Sequence, residues 1–193
     1  MIFYSKRNEV RLICSDKGQF VRKVFSDRKS FCKELDHYQK MKDRVLIPVL
    51  HQEEECVLDL EYIPCPTFLD VLEQQESSCF SPEPWIALGQ WILQCSECCA
   101  LVPGDGNLRN FLWDGDARRC IGIDFEEYCD GTPEEAGALL IAFLLEYDPK
   151  GTPVKAAAAE RLQTILHSSQ AQIDLIRSNL QARRSAQTRG KRK

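Results

Sequence analysis

Asp105, Asn110 and Asp124 are the residues whose types and spacing point to the most specific chemistry in this sequence. They lie within residues 102–124, at the ends of two short apolar runs, Asn110-Phe-Leu-Trp and Cys120-Ile-Gly-Ile. Gly115-Asp116 between the runs is turn chemistry, so the piece reads as a β-hairpin whose open mouth gathers the three polar residues. Two acids and an amide there can hold Mg²⁺, which wants oxygen ligands and takes the remainder from water and phosphate. Taken alone, the Asp-x-x-x-x-Asn pair is equally a turn aspartate and a capping asparagine. The elements around it must therefore decide.

The first half of the chain predicts strands over residues 1–4, 10–14 and 19–25, with Arg7-Asn8 and Asp16-Lys17-Gly18 as turns. Lys23 falls in the third strand. Residues 26–42 read as a helix capped by Ser26 or Asp27, with Phe31, Leu35, Tyr38 and Met41 at helical spacing. Glu34 on that helix follows Lys23 by 11 residues. Two more strands are expected over 45–50 and 56–62, with the acidic run 52–55 as the turn between them. A strand lysine and a helix glutamate are each commonly just solvated charges, and only their order relative to Asp105, Asn110 and Asp124 gives them meaning. Beyond residue 63 the patterns are helical. Residues 82–102 carry Trp85, Leu88, Trp91, Ile92, Cys95 and Cys99 on one stripe. A second apolar helix opens at Pro133 and runs to Tyr147, Pro149 to Pro153 breaks it, and one last helical stretch is expected over 154–182.

With Lys23, Glu34, Asp105-x-x-x-x-Asn110 and Asp124-Phe125-Glu126 in this order, the chain resembles the protein-kinase-like superfamily. Within it, the sequence looks like a minimal small-molecule kinase of the aminoglycoside and choline phosphotransferase type, in which an Asp-Phe-Glu ending is typical. The resemblance covers roughly residues 1–148. It implies an α+β, bilobal kinase-like fold: a five-stranded antiparallel N-lobe with one helix over residues 1–63, a hinge at about 61–63, and a reduced helical C-lobe over 64–182. It also implies ATP and Mg²⁺ as cofactors and γ-phosphoryl transfer to a hydroxyl. Asp105 would take the catalytic role. Asn110 and Asp124 would hold the metal, and Lys23, oriented by Glu34, would bind phosphate. Glu61, Tyr62 and Ile63 would edge the adenine pocket, and Asn107 and Arg109 would face the acceptor.

The sequence also departs from that pattern. Pro103-Gly104-Asp105 replaces the loop's usual His-Gly-Asp. No Gly-x-Gly-x-x-Gly lies between the first two strands; either Lys6 or Arg7 would meet phosphate there by charge, or the phosphates would be held more loosely. Only residues 127–132 separate Asp-Phe-Glu from the next helix, which favours a small acceptor over a peptide. Two alternatives stand beside the transferase reading. One is a pseudokinase or nucleotide-binding regulatory module. The other is an RNA-linked ATPase like the small kinase of the KEOPS complex, which is similarly compact and basic at its end.

Composition bounds the rest. The net charge is −4. Arg183, Arg184, Arg189, Lys191, Arg192 and Lys193 contribute six positive charges, so the remainder of the chain stands at −10. Residues 183–193 thus read as a basic, disordered tail able to touch RNA or another polyanion. The ten cysteines come without a secretory signal, so reduced thiols in a cytoplasmic setting are expected. Cys95-x-x-Cys98-Cys99 has no second pair to complete a zinc site. No apolar run approaches the roughly 20 residues of a membrane span.

Overall fold

The computed structural model describes residues 2–3, 7–16 and 18–190. The N-terminal part is an antiparallel sheet of strands β1 (Ile2–Phe3), β2 (Glu9–Ser15), β3 (Gly18–Val24), β4 (Leu50–Glu54) and β5 (Val57–Glu61), in the order β1-β2-β3-β5-β4. Met1 and Tyr4 of the expected first strand, and the turn residues Ser5, Lys6 and Lys17, lie outside the described residues. Strand β3 sits between β2 and β5, with Lys23 opposite Val10 on one side and Leu58 on the other. Helix α1 (Arg28–Met41) follows β3, and the Asp27 carboxylate caps it by accepting from Ser30 N at 2.8 Å. Its buried face is Phe31, Glu34, His37, Tyr38 and Met41. A glutamate and a histidine thus share the stripe with the apolar residues.

The fourth strand corrects the sequence reading. Residues 45–50 were expected to pair; instead the acidic run from Leu50 to Glu54 forms β4, and the turn falls at Glu55-Cys56, with Cys56 at φ 61°. As the edge of the sheet, β4 needs no apolar face, and its carboxylates discourage pairing with other chains. Residues 45–49 are used otherwise, as a connector over the C-terminal half. The Leu46 carbonyl accepts from Trp91 Nε1 at 2.9 Å and from Gly122 N at 3.2 Å.

The C-terminal half contains α2 (Phe68–Ser77), α3 (Glu83–Cys99), α4 (Pro133–Glu146), α5 (Pro153–Leu166) and α6 (Gln170–Gly190). Between α3 and α4 lie two short ladders: β6 (Val102–Pro103) with β9 (Tyr128–Cys129), and the hairpin β7 (Phe111–Asp114) with β8 (Arg119–Gly122). Helix α3 stops earlier than its pattern implied. Ala100 takes a left-handed conformation at φ 55°, which frees Val102 and Pro103 to pair with Cys129 and Tyr128. The last helical stretch is two helices rather than one, because His167 turns left-handed at φ 53° and Ser168 donates its hydroxyl to the Glu134 carbonyl at 2.9 Å. Helix α6 does not end at Ala182 but continues through Arg183 to Gly190, in a stretch rich in Ala, Gln and Arg that favours helix. Residues 191–193 of the expected tail lie outside the described residues.

Aromatic rings knit α2, α3 and the hairpin together. Phe68 meets Trp85, Phe111 and Trp113 edge-on at 5.8, 6.5 and 6.2 Å, and Trp91 meets Phe111 at 5.7 Å. Such pairs contribute about 0.5–1.5 kcal/mol each beyond their buried area. A Cβ on Gly122 would lie 2.2 Å from the Trp91 ring, so the hairpin reaches α3 only with glycine there. All ten cysteines are free thiols, with Cys95 and Cys120 buried. Among the described residues no helix is long and apolar enough to cross a membrane.

Helix α6 is held to α4 by the fully buried Glu146 side chain, whose Oε1 accepts from Gln181 Nε2 at 2.8 Å and faces Arg177 at 3.5 Å, while Oε2 accepts from Lys150 at 2.6 Å. Burial would raise the carboxyl pKa, but these donors hold it below the usual range. Replacing Glu146 by Ala should cost about 1.5–3 kcal/mol, the scale of hydrogen bonds to a charged group, since the half-exposed Lys150 can regain water. Urea melts would give the loss, and amide exchange should accelerate in α6 before the sheet. Uniform acceleration would show that Glu146 does not act through α6.

Candidate active site

Strand β3 ends under α1, and this packing brings Lys23 to Glu34. Lys23 Nζ lies 2.5 Å from Glu34 Oε2 and 2.7 Å from Asp124 Oδ1, with Lys23 and Glu34 both buried and the Asp124 side chain 50% exposed. One ammonium thus ties the sheet, the helix and the segment after the hairpin. Burial alone would lower the Lys23 pKa, but the two carboxylates outweigh it and hold it above its ordinary value. Glu34 is pushed up to about 7; burial is the main cause, Lys23 opposes it, and the Asp124 and Glu126 carboxylates add to it. Glu34, Asp124 and Glu126 offer oxygens within 4.8 Å of one another, with the Lys23 ammonium bonded to two of the three.

Asp124 occupies a left-handed conformation at φ 61°, which aspartate tolerates better than most side chains. The next residue, Phe125, is buried against Tyr38 and Tyr128 at 5.5 and 5.3 Å, and its carbonyl is 2.8 Å from His37 Nδ1. A carbonyl only accepts, so Nδ1 carries the proton. Helix α1 therefore grips the Asp124-Phe125-Glu126 segment through both Lys23–Glu34 and His37.

The hairpin's mouth has the expected neighbours. Asn110 Nδ2 donates to Asp105 Oδ1 at 2.9 Å, and the Asn110 carbonyl accepts from Ile123 N at 2.9 Å, which fixes Asp124 one residue away. Asp105 lies between two glycines in close quarters: a Cβ on Gly104 would meet the Glu127 carbonyl at 2.0 Å, and one on Gly106 would meet Phe143 and the Leu139 carbonyl at 2.7 and 2.8 Å. Burial raises the Asp105 pKa, with the Asp124 and Glu127 charges adding to it and the Asn107 N–H and Asn110 amide opposing it. A carboxylate with raised proton affinity is a better base.

The other expected positions differ in how open they are. Asn107 is a cap, not an open contact: its Oδ1 accepts from Arg109 N at 3.1 Å and from the Tyr147 hydroxyl at 3.3 Å. Arg109 is exposed. Glu61 is turned back on the sheet, its N–H donating to the Val49 carbonyl at 2.8 Å and its Oε2 accepting from Val49 N at 3.0 Å. Ile63 is half-buried, and its carbonyl accepts from Cys65 N at 2.8 Å. Arg7 does not stand free to meet phosphate. Its Nη1 reaches Glu126 Oε1 at 3.2 Å and Glu127 Oε1 at 2.7 Å. Lys6 lies outside the described residues.

Sequence reasoning missed Asn8 and the role of Glu126. Asn8 Nδ2 donates to Glu126 Oε2 at 2.9 Å, and its Oδ1 accepts from Ser26 N at 3.4 Å, both side chains being buried. Arg7 and Asn8, which lead into β2, are thus pinned to the segment that carries Asp124. Polar residues in a predicted turn gave no signal of this, because the partner is 118 positions away.

No protein-family model matches the chain, and no curated protein matches it. Its structure is similar to that of the Rio2 kinase from Chaetomium thermophilum in an ADP/Mg²⁺-phosphoaspartate complex, at TM-score 0.56 and 14% identity, over 96% of this chain and 70% of that one. A second structure of the same kinase matches at TM-score 0.56 and 14% identity over 96% and 72% of the two chains. The chain has a protein-kinase-like fold.

The raised Glu34 pKa has a measurable consequence. The folded chain binds this proton more tightly than the unfolded one, so the contribution is full below the unfolded value of 4.5 and is lost as pH rises towards about 7. Glu34→Gln cannot titrate, so its stability relative to wild type should climb across that window and then level. Denaturant melts of both proteins between about pH 4 and 8 check this, and parallel curves would contradict burial as the cause.

Proposed function

We propose that this chain is an ATP- and Mg²⁺-dependent phosphotransferase that moves the γ-phosphoryl group to a hydroxyl of a small-molecule acceptor. The observation that carries the reading is the Lys23–Glu34–Asp124 bridge, closed beside the Asp105–Asn110 pair. Lys23, held by Glu34, supplies positive charge to the phosphates. The Asn110 amide nitrogen is committed to Asp105, which leaves its oxygen for a metal, and Asp124 keeps a second carboxylate oxygen on its exposed side. Oxygen donors of this kind suit Mg²⁺. Bound there with nucleotide, Mg²⁺ neutralises charge on the β- and γ-phosphate oxygens. Residues 61–63 border the adenine, with Ile63 offering an apolar edge.

Asp105 accepts the acceptor's proton. As the hydroxyl oxygen bonds to the γ-phosphorus, the bond from that phosphorus to the β–γ bridging oxygen breaks, and ADP leaves with the electron pair. Such a transfer rests on positioning and electrostatics. The ties from Arg7 and Asn8 to Glu126 support this, since they hold the residues that lead into β2 to the Asp124 segment without a glycine-rich loop. The few residues between β9 and α4 support a small acceptor over a peptide.

Thermal melts with ATP, with and without Mg²⁺, test the nucleotide site. Wild type should show a Mg²⁺-dependent rise in Tm, and Asp124→Ala should lose it. Asp105→Asn should keep the rise while ADP release falls about 10²–10⁴-fold, the contribution of a general base. No rise in wild type would overturn the reading. A rise without ADP release on any acceptor would leave a nucleotide-binding module in place of a transferase.

A further inference from the structure

One groove beside Asp105 draws half of its lining from α6, a helix that lies beyond the kinase-like sequence motifs. It has a volume of about 270 Å³ and lies between the Asp105 loop, α4 and α6. Leu139 and Phe143 of α4 and Ile176 and Leu180 of α6 form its apolar walls, and Asp105 is part of the lining. Asn179 and Arg183 of α6 complete the lining. The α6 residues, Ile176, Asn179, Leu180 and Arg183, fall at i, i+3, i+4 and i+7, so they form one face of the helix. That face is held in place. Ile173, one turn earlier, is buried in the core, and Gln181 and Arg177 are tied to the buried Glu146. The Asp105 loop is fixed by Gly106, which admits the Phe143 ring and the Leu139 carbonyl where a side chain would clash.

The lining is mixed: it combines the Asp105 carboxylate with the Arg183 guanidinium, the Asn179 amide and four apolar side chains. Arg183 is exposed and makes no ion pair among the described residues. Resting on the phosphotransferase reading above, we infer that this groove is the acceptor site, and that it takes a small hydroxy acid with an apolar body. The hydroxyl faces Asp105, the body lies on Phe143 and Leu180, and the anionic group meets Arg183 and Asn179. An arginine fork pairs with carboxylate or phosphate through two parallel bonds, so either anion satisfies this chemistry. At about 270 Å³ the space is at the small end for ligand sites, which suits a small acceptor. The hydroxyl's proton goes to Asp105 and its oxygen to the γ-phosphorus of ATP, as set out above.

The probes are 6-hydroxyhexanoate, 6-hydroxyhexyl phosphate and hexane-1,6-diol, titrated calorimetrically into the Mg²⁺-bound complex with a non-hydrolysable ATP analogue. Wild type should bind at least one of the two anions about tenfold or more tighter than the diol, the scale of a charge-assisted hydrogen bond. Preference for the carboxylate or the phosphate identifies which anion the site reads. Arg183→Glu should erase the preference, and Phe143→Ala should weaken all three probes. Because Arg183 is exposed, its replacement leaves the core untouched, and Arg183→Gln gives a milder second variant. Equal binding of anions and diol, or a preference that survives in Arg183→Glu, would overturn the inference. The thermal melts with Mg²⁺ and ATP separate the two readings. If wild type shows no shift, the nucleotide site is refuted. If it shows the shift without an anion preference, only the acceptor assignment is.

Discussion

The Lys23 ammonium is the interaction on which the arrangement of this molecule depends. It is buried, and a buried cation is tolerable only with carboxylates at hand. Glu34 and Asp124 come from two places far apart in the chain, so satisfying Lys23 fixes the sheet, α1 and the post-hairpin segment relative to one another. The cost is visible on the carboxylate side. Glu34 is crowded by burial and by neighbouring acids, which raises its proton affinity despite the ion pair. Three carboxylates, two of them buried and one half-exposed, thus crowd around a single ammonium, a grouping of like charges that favours further positive charge.

Around this bridge, close backbone approach does much of the positioning. Gly104 and Gly106 let the Asp105 loop lie against the Glu127 carbonyl on one side and α4 on the other. Gly122 lets the hairpin settle on Trp91. The two short strands β6 and β9 pair across the same region, so Asp105 and Asp124 are carried on segments that hydrogen-bond at both ends. The acid after Asp124-Phe125 has its own work: Glu126 receives Asn8 and Arg7, anchoring the residues that lead into β2 by side chains.

The basic end of the chain takes on a different character in the fold. Composition alone makes residues from 183 onward look like a solubilising or RNA-directed tail, yet Arg183 continues the face of α6 that borders Asp105. The buried Glu146 network explains why that face is held. Its partners Arg177 and Gln181 point one way from α6, and Ile176 and Leu180 line the groove.

The sequence by itself determined the order of the elements and the candidate chemistry. Lys23 on a strand, Glu34 on the following helix and Asp105, Asn110 and Asp124 around a hairpin were legible because periodicity, caps and turn residues are local signals. Local signals failed where a neighbour from elsewhere decided the outcome. The acidic residues of β4 became a strand because an edge was open beside β5. The last helical stretch split because Ser168 found the Glu134 carbonyl, and Asn107 became a cap because Tyr147 lay above it. Only the tertiary structure decided that Glu34 is buried, that Arg7 and Asn8 belong to Glu126, and that α6 borders Asp105. These are pairings between residues tens of positions apart or more, whose energies come from burial and charge, and neither quantity exists until the chain has folded.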